Sequence, residues 1–218
     1  MGLLDDLSRS TTADRPRLHD DAGEIARKVA LLNEPHIAPL TALVRQLRDE
    51  LGEESVPWFD PTEAGINARI LLLLQSPGEK AAPPTGSGFI SPHNDDPSAE
   101  NMWGIQHEIG LDRACEVVTW NVVPWYVPRK QSLKRADFVR ARPMLGQLLD
   151  LLPDLRVVVL LGGKAQHAWR LARLHVSVPV LETWHTSPLS INNDRTRRAE
   201  IAQTLRRARE IAGFRASA

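Results

Sequence analysis

Apolar residues recur along the chain at two different periods, and the change of period marks its secondary structure. Between residues 20 and 51 they return every three or four positions, which predicts amphipathic helix. Pro35 and Pro39 divide that stretch into two helices, and Gly52 ends the second. Four short apolar runs follow, at residues 70–74, 117–123, 157–161 and 178–181. Their length and β-branched content predict strands buried on both faces of a sheet.

Helical spacing returns between and after these runs, in residues 99–110, 134–151, 165–174 and 195–211. Alternating strands and helices predict an α/β protein, a three-layer α/β/α sandwich with a central four-stranded, mostly parallel sheet. A chain of 218 residues is long enough for one well-buried domain, which we place at residues 21–218. Residues 1–20 are polar without an apolar period, and we expect them to be loose.

Composition narrows the class of protein. The sequence has no uninterrupted apolar stretch long enough to span a bilayer and no signal-peptide pattern at its start, so we expect a cytoplasmic protein without a membrane partner. The single cysteine, Cys115, excludes an intrachain disulfide and any cluster that needs several thiolates. Because it precedes an apolar run, we expect it to be a small buried residue. The histidines lack metal-ligand spacing, so we expect no metal and no cofactor.

Charge is unevenly distributed although the formal net charge is zero. Residues 1–63 hold 13 acidic and 7 basic residues, and residues 64–218 hold 14 and 20. Two basic clusters stand out: Arg129, Lys130, Lys134, Arg135, Arg140 and Arg142, and Arg195, Arg197, Arg198, Arg206, Arg207 and Arg209. A basic face fits a polyanionic partner, but charge alone favours ordinary solvated helix faces.

Polar residues follow the predicted strands at the points where the strands end. Residues 75–79 follow the first, Asn121 lies at the second, residues 162–164 follow the third and residues 184–190 follow the fourth. Ligands of such folds bind beyond the carboxyl ends of the strands. We therefore expect these side chains to converge on one small ligand.

In this order, the segments resemble the signature motifs of the uracil-DNA glycosylase superfamily. Leu74-Gln75-Ser76-Pro77-Gly78 matches the motif after the first strand, and Asn121 matches the pocket asparagine. Gly86-Ser87-Gly88-Phe89 matches the element with the stacking aromatic. Residues 185–189, followed by Ser190, match His-Pro-Ser-Pro-Leu except that Thr186 replaces the first proline. The resemblance covers about residues 56–205. Residues 87–103, together with residues 56–61 and 121–125, resemble an actinobacterial branch of the superfamily without an iron–sulfur cluster.

The resemblance implies a monofunctional DNA glycosylase for base excision repair. Such an enzyme flips uracil or a related deaminated base out of DNA, hydrolyses its N-glycosidic bond and leaves an abasic site. DNA is then the partner, and we expect a monomer. The alternatives are a superfamily member that binds DNA or a flipped base without excision, and a nucleotide-binding enzyme of unrelated chemistry. A complete phosphate-binding motif is absent, which disfavours the last.

The resemblance also assigns roles to the base-binding residues. His185 would stabilise the departing base anion, Asn121 would pair with the edge of uracil through its amide, and Phe89 would stack on the base. Gly78 and Glu79 would complete the binding wall. Turn capping by Asn121 and core packing by Phe89 are the corresponding structural alternatives.

On the DNA side, Leu189 would fill the vacated position in the base stack, and Ser187 and Ser190 would bond flanking phosphates. Lys164 is a further candidate for contact with DNA. Turn formation around Pro188 explains the serines almost as well, and a tight strand-to-helix turn explains Gly162 and Gly163.

The water-activating group is where the sequence departs from the family. Many members place a carboxylate or asparagine at the position occupied by Gln75 and Ser76, but a glutamine is no general base and a serine needs a partner. Glu79, Asp95 and Asp96 are the nearby carboxylates, with a solvated loop or a helix N-cap as their structural alternative. The sequence leaves this choice open, together with the possibility of an inactive protein.

Overall fold

The structure is a computed structural model that describes residues 14–51, 56–128, 132–174 and 176–214. Within them lie six strands, β1 Trp58–Phe59, β2 Ile70–Leu74, β3 Phe89–Ile90, β4 Val117–Asn121, β5 Val157–Leu161 and β6 Val180–Thr183. Four form a sheet in the order β4-β2-β5-β6, in which every neighbouring pair is parallel. The other two, β1 and β3, form a short parallel pair.

The helices of the same residues are α1 Ala22–Ala30, α2 Ala38–Leu51, α3 Pro97–Glu108, α4 Arg113–Glu116, α5 Arg135–Asp150, α6 Gly163–Ala172, α7 Pro188–Asn193 and α8 Thr196–Ile211. Short 3-10 helices occupy Leu18–Asp20 and Gly65–Asn67. The longer helices follow the predicted periodicity closely. Both α4 and α7, of four and six residues, are too short for periodicity to indicate.

Alternate strand residues face two separate apolar cores, one on each side of the sheet. Leu71 and Leu73 of β2 pack with side chains of α2, α5 and α6. Ile70 and Leu72 of the same strand pack with side chains of α3 and α8. This arrangement confirms the three-layer sandwich and explains why the strands are apolar at nearly every position.

Three local features differ from expectation. Strand β6 begins at Val180, two residues later than predicted, and Cys115 is exposed on α4 instead of buried. Helix α1 buries Glu24 and Lys28 and leaves Val29 half exposed, the reverse of its apolar pattern. In the described part of the chain no helix is both long and apolar enough to cross a membrane.

Residues 1–20 were expected to be loose; residues 1–13 lie outside the described residues, and residues 14–20 contact the loop that follows β3. The backbone N–H of His19 donates to the carbonyl of His93 at 3.0 Å, and its ring lies 2.8 Å from Asn94 Oδ1. Arg17 pairs with Asp95 at 2.9 Å. These contacts hold the amino-terminal segment against the loop of residues 91–96.

Candidate active site

A cavity of about 380 Å³ lies beyond the carboxyl ends of β2, β4 and β6, where ligands of parallel α/β sheets bind. Its wall comes from four segments, residues 74–81 after β2, 90–102 around the start of α3, Thr119 and Asn121 of β4, and 185–188 after β6. Two hydrogen bonds of 2.9 Å join the last segment to α3, from Asn101 Nδ2 to the Thr186 carbonyl and from Thr186 Oγ1 to the Ser98 carbonyl.

Strand β4 presents polar side chains to the cavity at alternate positions. Val117 packs in the core beside α3 and α8, and Thr119 and Asn121 lie on the same face because side chains alternate along a strand. Asn121 is 2% exposed, and its Nδ2 has no hydrogen-bond partner among the described residues. A buried amide donor is costly to leave unpaired, so Asn121 Nδ2 is available to bond whatever fills the cavity, a water or a ligand.

His185 is held as a neutral imidazole with a defined tautomer. The Ser187 backbone N–H donates to His185 Nδ1 at 2.9 Å, so the ring proton belongs on Nε2. Burial lowers the pKa of His185; Asp96 opposes this shift and Lys164 adds to it. The ring therefore lines the cavity as a neutral N–H donor at neutral pH.

The segment after β2 contributes part of what was predicted. Ser76, Gly78 and Glu79 lie on the cavity wall, whereas Gln75 does not. The backbone carbonyl of Gln75 accepts a hydrogen bond of 2.9 Å from the backbone N–H of Val123. This contact fixes the segment against the chain that leaves β4.

The structure does not bring Phe89 to the cavity wall. Its side chain is 1% exposed, and its ring centroid lies 5.9 Å from that of His19. The Phe89 carbonyl accepts a bond of 3.0 Å from Asn94 Nδ2, and Asn94 itself lines the cavity. The ring therefore packs beside His19 in this structure, and its stacking on a base stays a prediction.

The two neighbouring aspartates have different surroundings. Asp95 faces Arg17 at 2.9 Å and Lys80 at 3.4 Å and is not part of the wall. Asp96 lines the cavity, and its Oδ1 accepts from the N–H groups of Ser98 and Ala99 at 2.8 and 3.0 Å. It is therefore both the N-cap of α3 and a carboxylate at the site.

The residues assigned to DNA lie around α7 and α6. Ser187 is the N-cap of α7 and accepts from the Ser190 N–H at 3.4 Å, and its contact with a phosphate stays a prediction. Leu189 is 75% exposed, as a group that inserts into a base stack must be. Lys164 is exposed near the start of α6 and forms no ion pair with any described residue.

Most arginines of α8 form ion pairs within the protein. Arg198 and Arg206 pair with Glu108 at 3.0 and 3.5 Å. Arg209 is 6% exposed and pairs with Glu116 at 2.7 Å. This basic cluster is therefore in large part structural, while Arg129 and Lys130 of the other cluster lie outside the described residues.

A buried polar network beneath the cavity escaped the sequence analysis. Lys28 Nζ donates to Asp60 Oδ2 at 2.6 Å and to His93 Nδ1 at 2.9 Å. Ser91, which lines the cavity, donates to the same Asp60 oxygen at 2.5 Å. Burial alone would raise the pKa of Asp60, but Lys28, His93 and Ser91 hold it well below its usual range. The network fastens the wall loop to α1 through an ionised pair.

Comparison with known proteins gives a family for this architecture. A family model described as the uracil DNA glycosylase superfamily matches residues 61–209. Comparison with curated proteins gives no match. Among 55 matching chains of solved structure is the crystal structure of a mimivirus UNG variant in complex with UGI. It is 13% identical, with a TM-score of 0.38, over 83% of this chain and 73% of that chain.

Proposed function

Since the chain belongs to the uracil DNA glycosylase superfamily, we propose that it is a monofunctional DNA glycosylase that removes uracil or a related deaminated base. The observation that carries this proposal is that two hydrogen-bond donors lie on one cavity wall. Asn121 Nδ2 is buried without a partner among the described residues, and His185 presents Nε2–H. A flipped pyrimidine needs both an amide to pair with its edge and a donor to an exocyclic oxygen.

The reaction breaks the bond between the base nitrogen and C1′ of the sugar, and a water oxygen forms the new bond to C1′. The electron pair of the broken bond leaves with the base, whose anion His185 stabilises by donating from Nε2. Its neutral tautomer is suited to this role because the proton is already in place before the bond breaks. The second product is an abasic site.

We propose that Asp96 is the general base, which accepts a proton from the attacking water as its oxygen bonds to C1′. Asp96 is a carboxylate on the cavity wall, and the amino terminus of α3 fixes its Oδ1. An Asp96→Asn substitution tests this assignment, because asparagine caps helices equally well but accepts no proton. We expect excision to fall by at least about 100-fold with the fold intact. An unchanged rate would transfer the role to Glu79.

The first experiment incubates the protein with labelled oligonucleotides that carry uracil in single strands, opposite A or opposite G. Hypoxanthine and xanthine substrates are run in parallel, and abasic sites are cleaved with alkali. We expect cleavage by the wild type and loss of it in His185→Ala and Asn121→Ala. If either variant retained full activity, the base pocket would be wrongly assigned.

A second candidate function is binding of DNA or a flipped base without excision. Two observations favour it: Asp95 forms an ion pair with Arg17, and Gln75 does not line the cavity. A gel shift with uracil-containing DNA but no abasic product from any substrate would support this candidate. Abasic product that disappears in His185→Ala would exclude it.

A further inference from the structure

Glu63 is a buried carboxyl group at the free edge of the sheet. Strand β4 is the edge strand, and the loop that carries Glu63 replaces a neighbouring strand along part of it. The Ala64 N–H donates to the Val117 carbonyl at 2.9 Å, and Glu63 Oε2 accepts from the Thr119 N–H at 2.6 Å. Edge capping alone would explain this second bond.

Glu63 also contacts a side chain of the active site. Its Oε1 lies 2.7 Å from Thr119 Oγ1, and Thr119 lines the cavity. Thr119 and Asn121 are two residues apart on one face of β4, so their Cα atoms are about 6.5 Å apart and Thr119 is the deeper of the two. Base binding by Asn121 therefore brings the ligand towards Thr119.

The protonation state of Glu63 decides what the hydroxyl offers to a ligand. The Thr119 N–H can only donate, so Oε2 must accept, and the single variable is the proton between Oε1 and Oγ1. A carboxylate would accept the hydroxyl proton and leave only lone pairs for the cavity. A carboxylic acid would donate to Oγ1 and free the hydroxyl proton for the ligand.

The surroundings of Glu63 favour the acid. Glu63 is 1% exposed and forms no ion pair with any described residue. Burial raises its pKa to about 8, and Asp60 adds to the shift. The hydrogen bonds from Thr119 and the charge of Arg113 on α4 oppose it, as does that of Lys28 on α1.

We propose that Thr119 is a specificity-determining residue of the cavity and that Glu63 behind it directs the hydroxyl proton towards the base. The proposal deepens the glycosylase function and rests on it. A hydroxyl donor at this depth matches the exocyclic oxygen of a deaminated base, which has two lone pairs and accepts from Thr119 as well as Asn121. The parent bases cytosine and adenine carry an amino group in place of that oxygen, and an aromatic amino group accepts neither of these hydrogen bonds.

The test measures binding of free uracil by calorimetry between pH 7 and pH 9, which requires no bond cleavage. We expect the affinity of the wild type to fall about tenfold across this interval as Glu63 ionises, since one hydrogen bond is lost. In Glu63→Gln the amide donates to Thr119 Oγ1 at every pH, so its affinity should change less than twofold across the interval. Titration of uracil itself affects both proteins equally and cancels in the comparison. His185 stays neutral throughout because its pKa is lowered.

Two variants of Thr119 distinguish a role in recognising the base from a role in stabilising the sheet. At pH 7 we expect Thr119→Val to bind uracil about tenfold more weakly and Thr119→Ser to restore most of the affinity, because only serine keeps the hydroxyl. Thermal denaturation establishes that each variant is folded. If Thr119→Val does not fold, the comparison of the wild type with Thr119→Ser and Glu63→Gln still decides.

The proposal is overturned if Thr119→Val binds like the wild type, if wild type and Glu63→Gln lose affinity in parallel, or if the wild type does not bind uracil. Uracil binding with these differences but no excision from any oligonucleotide would sink the glycosylase function alone. The two proposals are therefore judged by separate measurements.

Discussion

The backbone of Gly162 lies directly against the β carbon of His185. A β carbon built on Gly162 would approach His185 Cβ to 2.7 Å, and the φ angle of Gly162 is +90°. The Gly162 N–H donates to the Thr183 carbonyl at 2.8 Å, which holds the two segments at this separation. The turn after β5 thus sets the position of the His185 imidazole, the proposed catalytic group, at the end of β6.

Gly162→Ala should therefore displace His185. We expect excision to fall by at least about tenfold, because small misplacement of a catalytic group is costly. Gly163→Ala is the matched control, since a β carbon at Gly163 meets no atom within 4 Å. Initial rates on a uracil oligonucleotide measure both, and equal rates for the two variants would contradict the positioning role.

The neutral state of His185 predicts a particular acid limit for activity. A histidine whose folded-state pKa is lowered stays neutral as the pH falls through its ordinary value of 6.5. Excision should persist at pH 6.5 and decline only below it. A pH–rate profile, with the His185 titration followed by nuclear magnetic resonance, tests this. An imidazolium already formed at pH 7 would be inconsistent with the proposed tautomer.

Glu63 predicts that the protein is less stable in alkali. The pKa of Glu63 is about 8 in the folded protein and has its ordinary value of 4.5 in the unfolded chain, so the unfolded chain releases this proton at a lower pH. Its contribution to the free energy of unfolding is complete below pH 4.5, decreases as the pH rises and is lost by about pH 8. Urea denaturation measures the free energy of unfolding at pH 5 and pH 9. Between these two pH values we expect the wild type to lose a few kcal/mol more than Glu63→Gln, since one pKa unit corresponds to about 1.4 kcal/mol.

Removing one partner of the buried ion pair should be severe. Lys28 and Asp60 are both 0% exposed, so Lys28→Met leaves a carboxylate without its counter-ion. We expect a loss of about 3–5 kcal/mol in the free energy of unfolding at pH 7. Adding Asp60→Asn should restore part of the loss, because the remaining group is neutral. A single variant as stable as the wild type in urea would show that the pair contributes little.

Lys164 and Arg206 should differ in their contribution to DNA binding. Lys164 is exposed and has no ion-pair partner in the described ranges, whereas Arg206 pairs with Glu108. Lys164→Ala should lower affinity and reduce the slope of log K against log salt by about 0.9, the value for one phosphate contact. Arg206→Ala should leave the slope unchanged. Fluorescence anisotropy over a salt series measures both, and the opposite ranking would place DNA on α8.

Strand ends were predictable because sheet topology fixes where they meet. The order of motifs along the chain was enough to place Asn121 and His185 on one cavity, since parallel strands end at the same edge. Gln75 was different. Gln75 and Ser76 lie in a bend beyond the end of β2, where strand alternation no longer applies, and no pattern in the sequence showed which of the two would face the ligand.

Thr119 and Lys28 were missed for opposite physical reasons. A threonine within a strand resembles ordinary packing, although its spacing of two from Asn121 was an available signal. Lys28 looks like the solvated side of an amphipathic helix, yet α1 turns Lys28 inward and leaves Val29 exposed. Its partner Asp60 is 32 residues away, and pairing at that distance follows only from the fold.

The buried pair of Lys28 and Asp60 also bears on how the site can be transplanted. Both residues precede residue 61, where the match to the family begins. Below Ser91 they supply the charge that anchors one wall of the cavity. A chimera built from the family region alone would carry every signature motif and lack this foundation. The segment that matches the family model and the segment that must be transferred to preserve the pocket therefore have different boundaries.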